Sequence, residues 1–358
     1  AALQVRATCQ GGIELVLAAL RGHGGEREVQ ETACAALEAL IGEDSEALAA
    51  GAYLGSVAEQ DGLYPVFNAL EDFTEDVRTE TLLKLFNRHS AHMPTRITCL
   101  GGIELVLAAS GGHQASVGVQ ERACTVLRRL AASTSAVRGR LAALGCLERV
   151  LEAMRGHAAS AQVQECGCVL LSDLAGADAQ SRQKALALGG TELLLQALRS
   201  QPEVVEVQVR ACDALSALAA GSPECQARIA SLGGLELILA ALRAHASEAR
   251  VQARGCAALQ TLVSGDASIL EMAVDLGGIA LAAAAASAHL RSAEVARQAF
   301  PLLCCLAGHG PQGRAALAAA EGQAASLELV LRVMRAFPEL EQVQEPGCGL
   351  LARLAGDG

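Results

Sequence analysis

The sequence is poor in aromatic residues. Tryptophan is absent, and two Tyr and five Phe make up only 2% of 358 residues. Any core must therefore be built from Leu, Val, Ile, Ala and Cys. A core of such small side chains suits closely packed helices better than strands. Lysine is nearly missing too: Lys84 and Lys184 are the only two, and the remaining basic residues are Arg. No basic block occurs, and the formal net charge is −11. Phosphate neutralisation supplies most nucleic-acid affinity, so no nucleic-acid partner is expected. No run of 18 apolar residues exists, and the most apolar stretch, 276–288, is short and alanine-rich. No membrane span is expected. No signal peptide is expected ahead of the first helix. With 52% hydrophobic and 19% charged residues the chain is not disordered. It begins with Ala, as expected of a fragment or a processed product.

What the sequence does contain is a repeat. A Val-Gln pair recurs at Val119-Gln120, Val163-Gln164, Val207-Gln208 and Val251-Gln252, at steps of 44 residues. Val295 continues the series beside Ala296, Val343-Gln344 closes it after 48, and Val29-Gln30 lies 90 residues before Val119. Glycines keep the same step at Gly101, Gly145, Gly189, Gly233 and Gly277, and Gly11-Gly12 begins that series. Each Val-Gln opens a one-sided apolar pattern, such as Val207, Ala211, Cys212, Leu215 and Leu218, which predicts an amphipathic helix. A second helix follows each glycine pair, as in Leu235, Ile238, Leu239 and Leu242. A third, shorter one precedes it, as in Cys225 to Leu232. Three helices in about 44 residues cannot bury their own faces, so neighbouring units must stack.

The expected fold is therefore all-α, an α-solenoid of about eight three-helix units forming one array over residues 1–358. The units fall near residues 1–44, 45–90, 91–133, 134–177, 178–222, 223–266, 267–310 and 311–358. No polar capping unit is evident. The last helix carries Leu350, Leu351 and Leu354, as expected where an array continues or a partner covers its end.

The pattern resembles the armadillo repeat family. The resemblance is carried by the Gly233-Gly234-Leu235-Glu236-Leu237-Ile238 helix start, by Val251-Gln252 and by the Leu215-to-Ala219 helix end. The segments Met154-Arg155-Gly156-His157 and Val163-Gln164-Glu165-Cys166-Gly167-Cys168 are similar to the armadillo region of leucine-rich-repeat kinases. The family implies a right-handed superhelix whose third helices line a concave groove. In peptide-gripping members that groove carries ladders of Trp and Asn. The Trp-equivalent positions here are Ala35, Leu83, Thr125, Val169, Asp213, Ala257, Pro301 and Gly349, none aromatic. The Asn-equivalent positions are Ala39, Asn87, Arg129, Asp173, Ala217, Thr261, Cys305 and Arg353, where only Asn87 matches. Nuclear-import receptor activity is accordingly not expected.

Cys34, Cys124, Cys168, Cys212, Cys256 and Cys348 share one register on the buried stripe, and Phe300 fills that place in the seventh unit. Neighbouring helices lie roughly 8–10 Å apart, too far for most disulfides. These cysteines are expected to be buried, reduced packing groups, which suits a cytoplasmic location. His23, His113, His157, His245 and His289 share another register, at second-helix ends, where an imidazole can bond the last carbonyls. Neither His89 with His92 nor Cys304, Cys305 and His309 has zinc-finger spacing, so no metal and no cofactor are expected. No nucleotide-binding, hydrolase or metalloprotease motif is present, and a stand-alone enzyme is not expected.

Candidate partner contacts follow from departures within the repeat. Residues 45–90 hold five of the seven aromatics: Tyr53, Tyr64, Phe67, Phe73 and Phe86. Phe67 occupies the core position of Leu239. Tyr64 replaces a solvent row of Glu14, Glu104, Glu148, Glu192, Glu236 and Glu328, and Phe86 lies off the buried stripe beside Asn87. Aromatics anchor interfaces. On the groove row, Glu121, Glu165, Asp173 and Asp213 are acidic, and Arg129 shares an Asn-equivalent register. The expected function is a non-catalytic scaffold binding other proteins, by way of basic or amphipathic helical segments. The alternative is the regulatory or docking arm of a larger enzyme such as a kinase.

Overall fold

The computed structural model describes residues 102–176, 179–321 and 323–355. Tyr64, Phe86 and Asn87 lie outside them, as do Cys34, His23, His89 and His92. Every element among the described residues is a helix. In chain order these are α1 (Gly102–Gly112), α2 (Val117–Ala131), α3 (Ser135–Ala143), α4 (Cys146–Gly156) and α5 (Ala161–Ala175). Next come α6 (Ala179–Ala187), α7 (Gly190–Ser200), α8 (Val205–Ala219), α9 (Pro223–Ser231), α10 (Gly234–Ala244) and α11 (Ala249–Val263). The last are α12 (Ala267–Asp275), α13 (Gly278–Ala288), α14 (Ala293–Gly308), α15 (Gly310–Glu321), α16 (Gln323–Ala336) and α17 (Glu341–Ala355). The chain divides into two compact units, Ala1–Leu170 and Leu171–Gly358.

In the second unit the short, middle and long helices recur as triplets of 9, 11 and 15 residues in α6–α8 and again in α9–α11. Long helices pack on one another, α8 on α11, α11 on α14 and α14 on α17. Middle helices form a parallel layer, α7 on α10, α10 on α13 and α13 on α16. The core lies between the two layers. It takes Leu235, Ile238, Leu239 and Leu242 from α10, and Val251, Cys256, Leu259 and Leu262 from α11, all buried. In the first unit α1 packs on α2 and α4, and α2 on α3 and α4. Val119, Ala123, Cys124, Leu127 and Leu130 are buried there on the predicted face.

The glycine pair sets the turn between short and middle helices. Gly233 has φ 80° and Gly277 φ 83°, the left-handed region that glycine enters without a Cβ clash. The second glycine permits close approach: a β-carbon on Gly234 would stand 2.7 Å from the Ile229 carbonyl oxygen. Short helices start at conventional caps. Ser222 accepts from the Cys225 amide and Thr134 from the Val137 amide.

The cysteine register is buried at Cys124, Cys168, Cys212 and Cys256, and Phe300 is fully buried in the same place. Cys348 departs from the expectation. It is exposed, because no following long helix among the described residues covers this face of α17. Of the terminal leucines, Leu350 is buried, and Leu351 and Leu354 are half-buried.

Candidate protein-interaction face

The long helices place the groove-row side chains. In the first unit, Thr134-type capping recurs at Ser160, whose hydroxyl accepts from the Val163 amide and donates to Glu121 Oε1 at 2.7 Å. Gln162 Nε2 donates to Thr125 Oγ1 at 3.0 Å, and that hydroxyl donates to the Glu121 carbonyl at 2.7 Å. Thr125, a Trp-equivalent position, is thus spent on joining α2 to α5. Arg129 is exposed and Glu165 half-buried.

In the second unit a charge ladder crosses three long helices. Glu206 on α8 takes Arg250 of α11 in a fork, Nη1 to Oε2 at 2.7 Å and Nη2 to Oε1 at 3.0 Å. Arg210 joins Glu206 one turn along, at 2.8 Å. Arg254 lies between Asp213 (Nε to Oδ1, 3.4 Å) and Glu294 of α14 (Nη2 to Oε1, 3.0 Å). The Arg250 guanidinium holds the Glu206 carboxyl below its ordinary range. Burial pushes Asp213 up, although Arg254 opposes it. Asp173 is half-buried. Beside the ladder the Ser216 and Thr261 hydroxyls meet at 2.9 Å, so an Asn-equivalent position again links neighbouring helices.

One sequence-based placement needs detail and another correction. The glutamate row at the middle-helix starts faces solvent, and two of its members form surface ion pairs, Glu104 being 39% and Glu192 40% exposed. Glu104 pairs with Arg140 at 2.7 Å, and Glu192 with Arg228, whose Nε lies 3.2 Å from Oε1. In each pair the arginine stands 36 residues on, on the next short helix; for Glu236 that step falls on Met272, and Glu236 is exposed. The histidines do sit at middle-helix ends, but their rings bond the preceding repeat. His157 Nε2 reaches the Gln114 carbonyl at 2.8 Å, His245 the Pro202 carbonyl at 2.7 Å and His289 the Ala246 carbonyl at 2.9 Å. A carbonyl only accepts, so Nε2 carries the proton. The helix-end carbonyls go instead to the glutamine of the Val-Gln pair. Gln252 Nε2 donates to the Leu242 and His245 carbonyls at 2.8 and 3.0 Å, and Gln120, Gln164, Gln208 and Gln344 make the same two bonds. Arg199 and Arg243 donate forward to the Leu232 and Leu276 carbonyls. Residue-by-residue reading missed these staples and the arginine ladder. The 44-residue step that carries Gln252, Arg243 and Glu206-to-Arg250 was their available signal.

Among the described residues no group of three His, Cys, Asp or Glu side chains is placed to hold a metal ion. Cys304 is buried, which pushes its thiol up to about 12, while Cys305 is exposed and His309 lies 3.8 Å from Glu271. A cleft of about 380 Å³ in the first unit is lined by Leu107, Ala108, Leu144, Gly145, Glu148, Arg149 and Glu152, without a nucleophile–base pair.

Comparison with known proteins agrees with this architecture. Residues 232–358 match the family model described as the LRRK2 ARM repeat. A crystal structure of an engineered protein superposes with a TM-score of 0.75 at 21% identity, covering 96% of this chain and 79% of that one. A designed armadillo repeat protein superposes at 0.58 with 18% identity, over 70% of this chain and 99% of its own. The chain has the armadillo-repeat fold. A further superposition is with a structure concerning a phosphorylation switch in the interaction between cadherin and beta-catenin. It has a TM-score of 0.66 and 16% identity over 98% and 79% of the two chains. A designed armadillo repeat protein in complex with the peptide (KR)4 superposes at 0.55 with 18% identity, over 70% and 99%. The search of curated proteins gives no match.

Proposed function

We propose that this chain is a non-catalytic protein-interaction scaffold, cytoplasmic, which receives partner proteins on its long-helix face. The observation that carries the reading is the register of that face. Glu206, Arg250 and Glu294, one per long helix, stand side by side with polar groups toward solvent, while the apolar stripe beneath is buried. Armadillo relatives that bind a peptide or act in a protein complex support the same use. Among the described residues, eight buried free cysteines support a reducing compartment. The acidic row that includes Glu165 supports a basic or amphipathic helical segment as the partner. Glu121 and Asp213 are already engaged within the protein.

A second reading is favoured by the match of residues 232–358 to the LRRK2 ARM repeat: the chain serves as the docking arm of a larger enzyme. Both readings are tested by affinity capture with the wild type and with Arg250→Glu/Arg254→Glu. The scaffold reading expects proteins retained by the wild type and lost from the variant. Identical captured sets would remove the long-helix face from the account. Co-capture of catalytic sequence contiguous with this chain would select the second reading.

A further inference from the structure

Two middle helices of the second unit end on an arginine that reaches into the next repeat. Arg199 of α7 and Arg243 of α10 each donate through Nη2 to the leucine carbonyl ahead of a left-handed glycine, Leu232 at 3.0 Å and Leu276 at 2.9 Å. The guanidinium comes to rest over that turn. A β-carbon on Gly233 would stand 3.8 Å from Arg199 Nη2 and 3.7 Å from Glu236 Oε2. A guanidinium group is thus seated between a backbone carbonyl and a carboxylate, and Leu232 and Leu276 are half-buried.

The first unit has the same receiving parts in an open cleft. Gly111 of α1 occupies the register of Arg199, two 44-residue steps earlier. Leu144, the left-handed Gly145 at φ 78° and Glu148 stand where Leu232, Gly233 and Glu236 stand, and Glu148 Oε2 would lie 3.7 Å from a β-carbon on Gly145. No arginine among the described residues donates to the Leu144 carbonyl, and Leu144 is exposed. These residues line the cleft of about 380 Å³, with Leu107 and Ala108 of α1 and Arg149 and Glu152 of α4. Arg149 takes the place of Leu193 and Leu237 in later repeats. Its guanidinium lies over Gly111 and pairs with Glu152 at 2.8 Å. The charged lining is therefore two carboxylates and one guanidinium.

We propose that this cleft receives an arginine side chain presented by a partner protein, which makes in trans the contact that Arg199 and Arg243 make within the chain. Those two arginines, seated at equivalent turns, identify the occupant. A planar guanidinium donates to a carbonyl and a carboxylate together, and its methylene stem covers apolar surface, here Leu144. The two carboxylates of the lining favour a cation. The site lies on the middle-helix side of the first unit and does not depend on docking at the long-helix face.

The test titrates the full chain with the capped tripeptide acetyl-Ala-Arg-Ala-amide, followed by ligand-observed NMR. The comparison ligand carries citrulline, a neutral isostere of arginine, in the central place. The arginine peptide is expected to bind at least tenfold more tightly than the citrulline peptide. Gly111→Arg/Arg149→Leu restores the residues of the later repeats, seats an arginine in cis and should weaken the peptide at least tenfold. Leu144→Ala alters an exposed side chain and should weaken it several-fold; it carries the test if circular dichroism shows the double variant unfolded. Binding that is absent, equal for the citrulline peptide, or unchanged in both variants overturns the proposal, the last by placing the peptide elsewhere on an acidic chain. Free L-arginine binding as tightly as the tripeptide would overturn the assignment to a protein-borne side chain.

Discussion

Two adjacent repeats of the second unit, α9–α11 and α12–α14, adopt the same plan with different chemistry. In the first, Gln252 holds the end of the middle helix, Arg228 pairs back to Glu192, and Gln226 bridges the Ala219 and Thr261 carbonyls. In the second, the same registers hold Ala296, Met272 and Leu270. Where the first places Cys256, the second places Phe300, fully buried, and the long helix also accommodates Pro301. Short and middle helices nevertheless have 9 and 11 residues in both repeats. The glycine turn and the apolar stripe therefore suffice for the repeat's geometry. The polar staples add strength to that geometry; in their places the second repeat has buried Ala296 and Leu270 and an exposed Met272.

Several measurements would break or sharpen that contrast. The largest effect is expected at alkaline pH. Burial pushes the thiols of Cys146, Cys212, Cys256 and Cys304 up to about 12. Unfolded, they ionise near pH 8.5. Between those values the unfolded state holds fewer protons, so stability falls as pH rises, by up to about 1.4 kcal/mol per pH unit for each thiol. Below the unfolded value these groups add no pH dependence. Denaturant melts from pH 8 to 11 should show the fall, and Cys212→Ala/Cys256→Ala should flatten it. An unchanged slope would mean that these thiols are not buried as described.

Next in size, Phe300→Ala should cost about 3–5 kcal/mol, since it empties the site on which the staple-poor repeat depends. Gln252→Ala should cost about 1–3 kcal/mol by leaving two helix-end carbonyls without their donor. The reverse change, Ala296→Gln, should add about 1 kcal/mol by introducing the clamp. Amide exchange within each repeat would report both, and a loss after Ala296→Gln would show that the α12–α14 repeat has no room for it. The smallest effect belongs to Arg228→Ala. An exposed ion pair of this kind contributes about 0–1 kcal/mol, so a melting shift larger than that of Gln252→Ala would reverse the ranking.

Most of the fold was legible in the sequence because it depends on local periodicity. The expected short helix Cys225 to Leu232 is α9, Pro223–Ser231, and the Val-Gln and glycine starts fall where the spacing put them. What was not legible depends on how one repeat is offset from the next. The spacing placed the histidines at helix ends but did not say that the imidazoles of His245 and His289 turn back by one repeat. It marked Glu192 as polar but did not reveal Arg228, 36 residues on, as its partner. Asp213 looked like a free groove carboxylate because its neighbour Arg254 belongs to another helix. Cys348 was placed by register alone, and register does not report whether a following helix covers the site.

The central claim is that partners dock on the long-helix face. It is tested most directly by placing a photo-crosslinking residue in the full chain, once at Ala257 on α11 and once at Ala280 on the exposed side of α13. The account predicts a discrete cross-linked partner protein from position 257, lost with Arg250→Glu/Arg254→Glu, and none from position 280. Cross-links from position 280 with none from position 257 would contradict it.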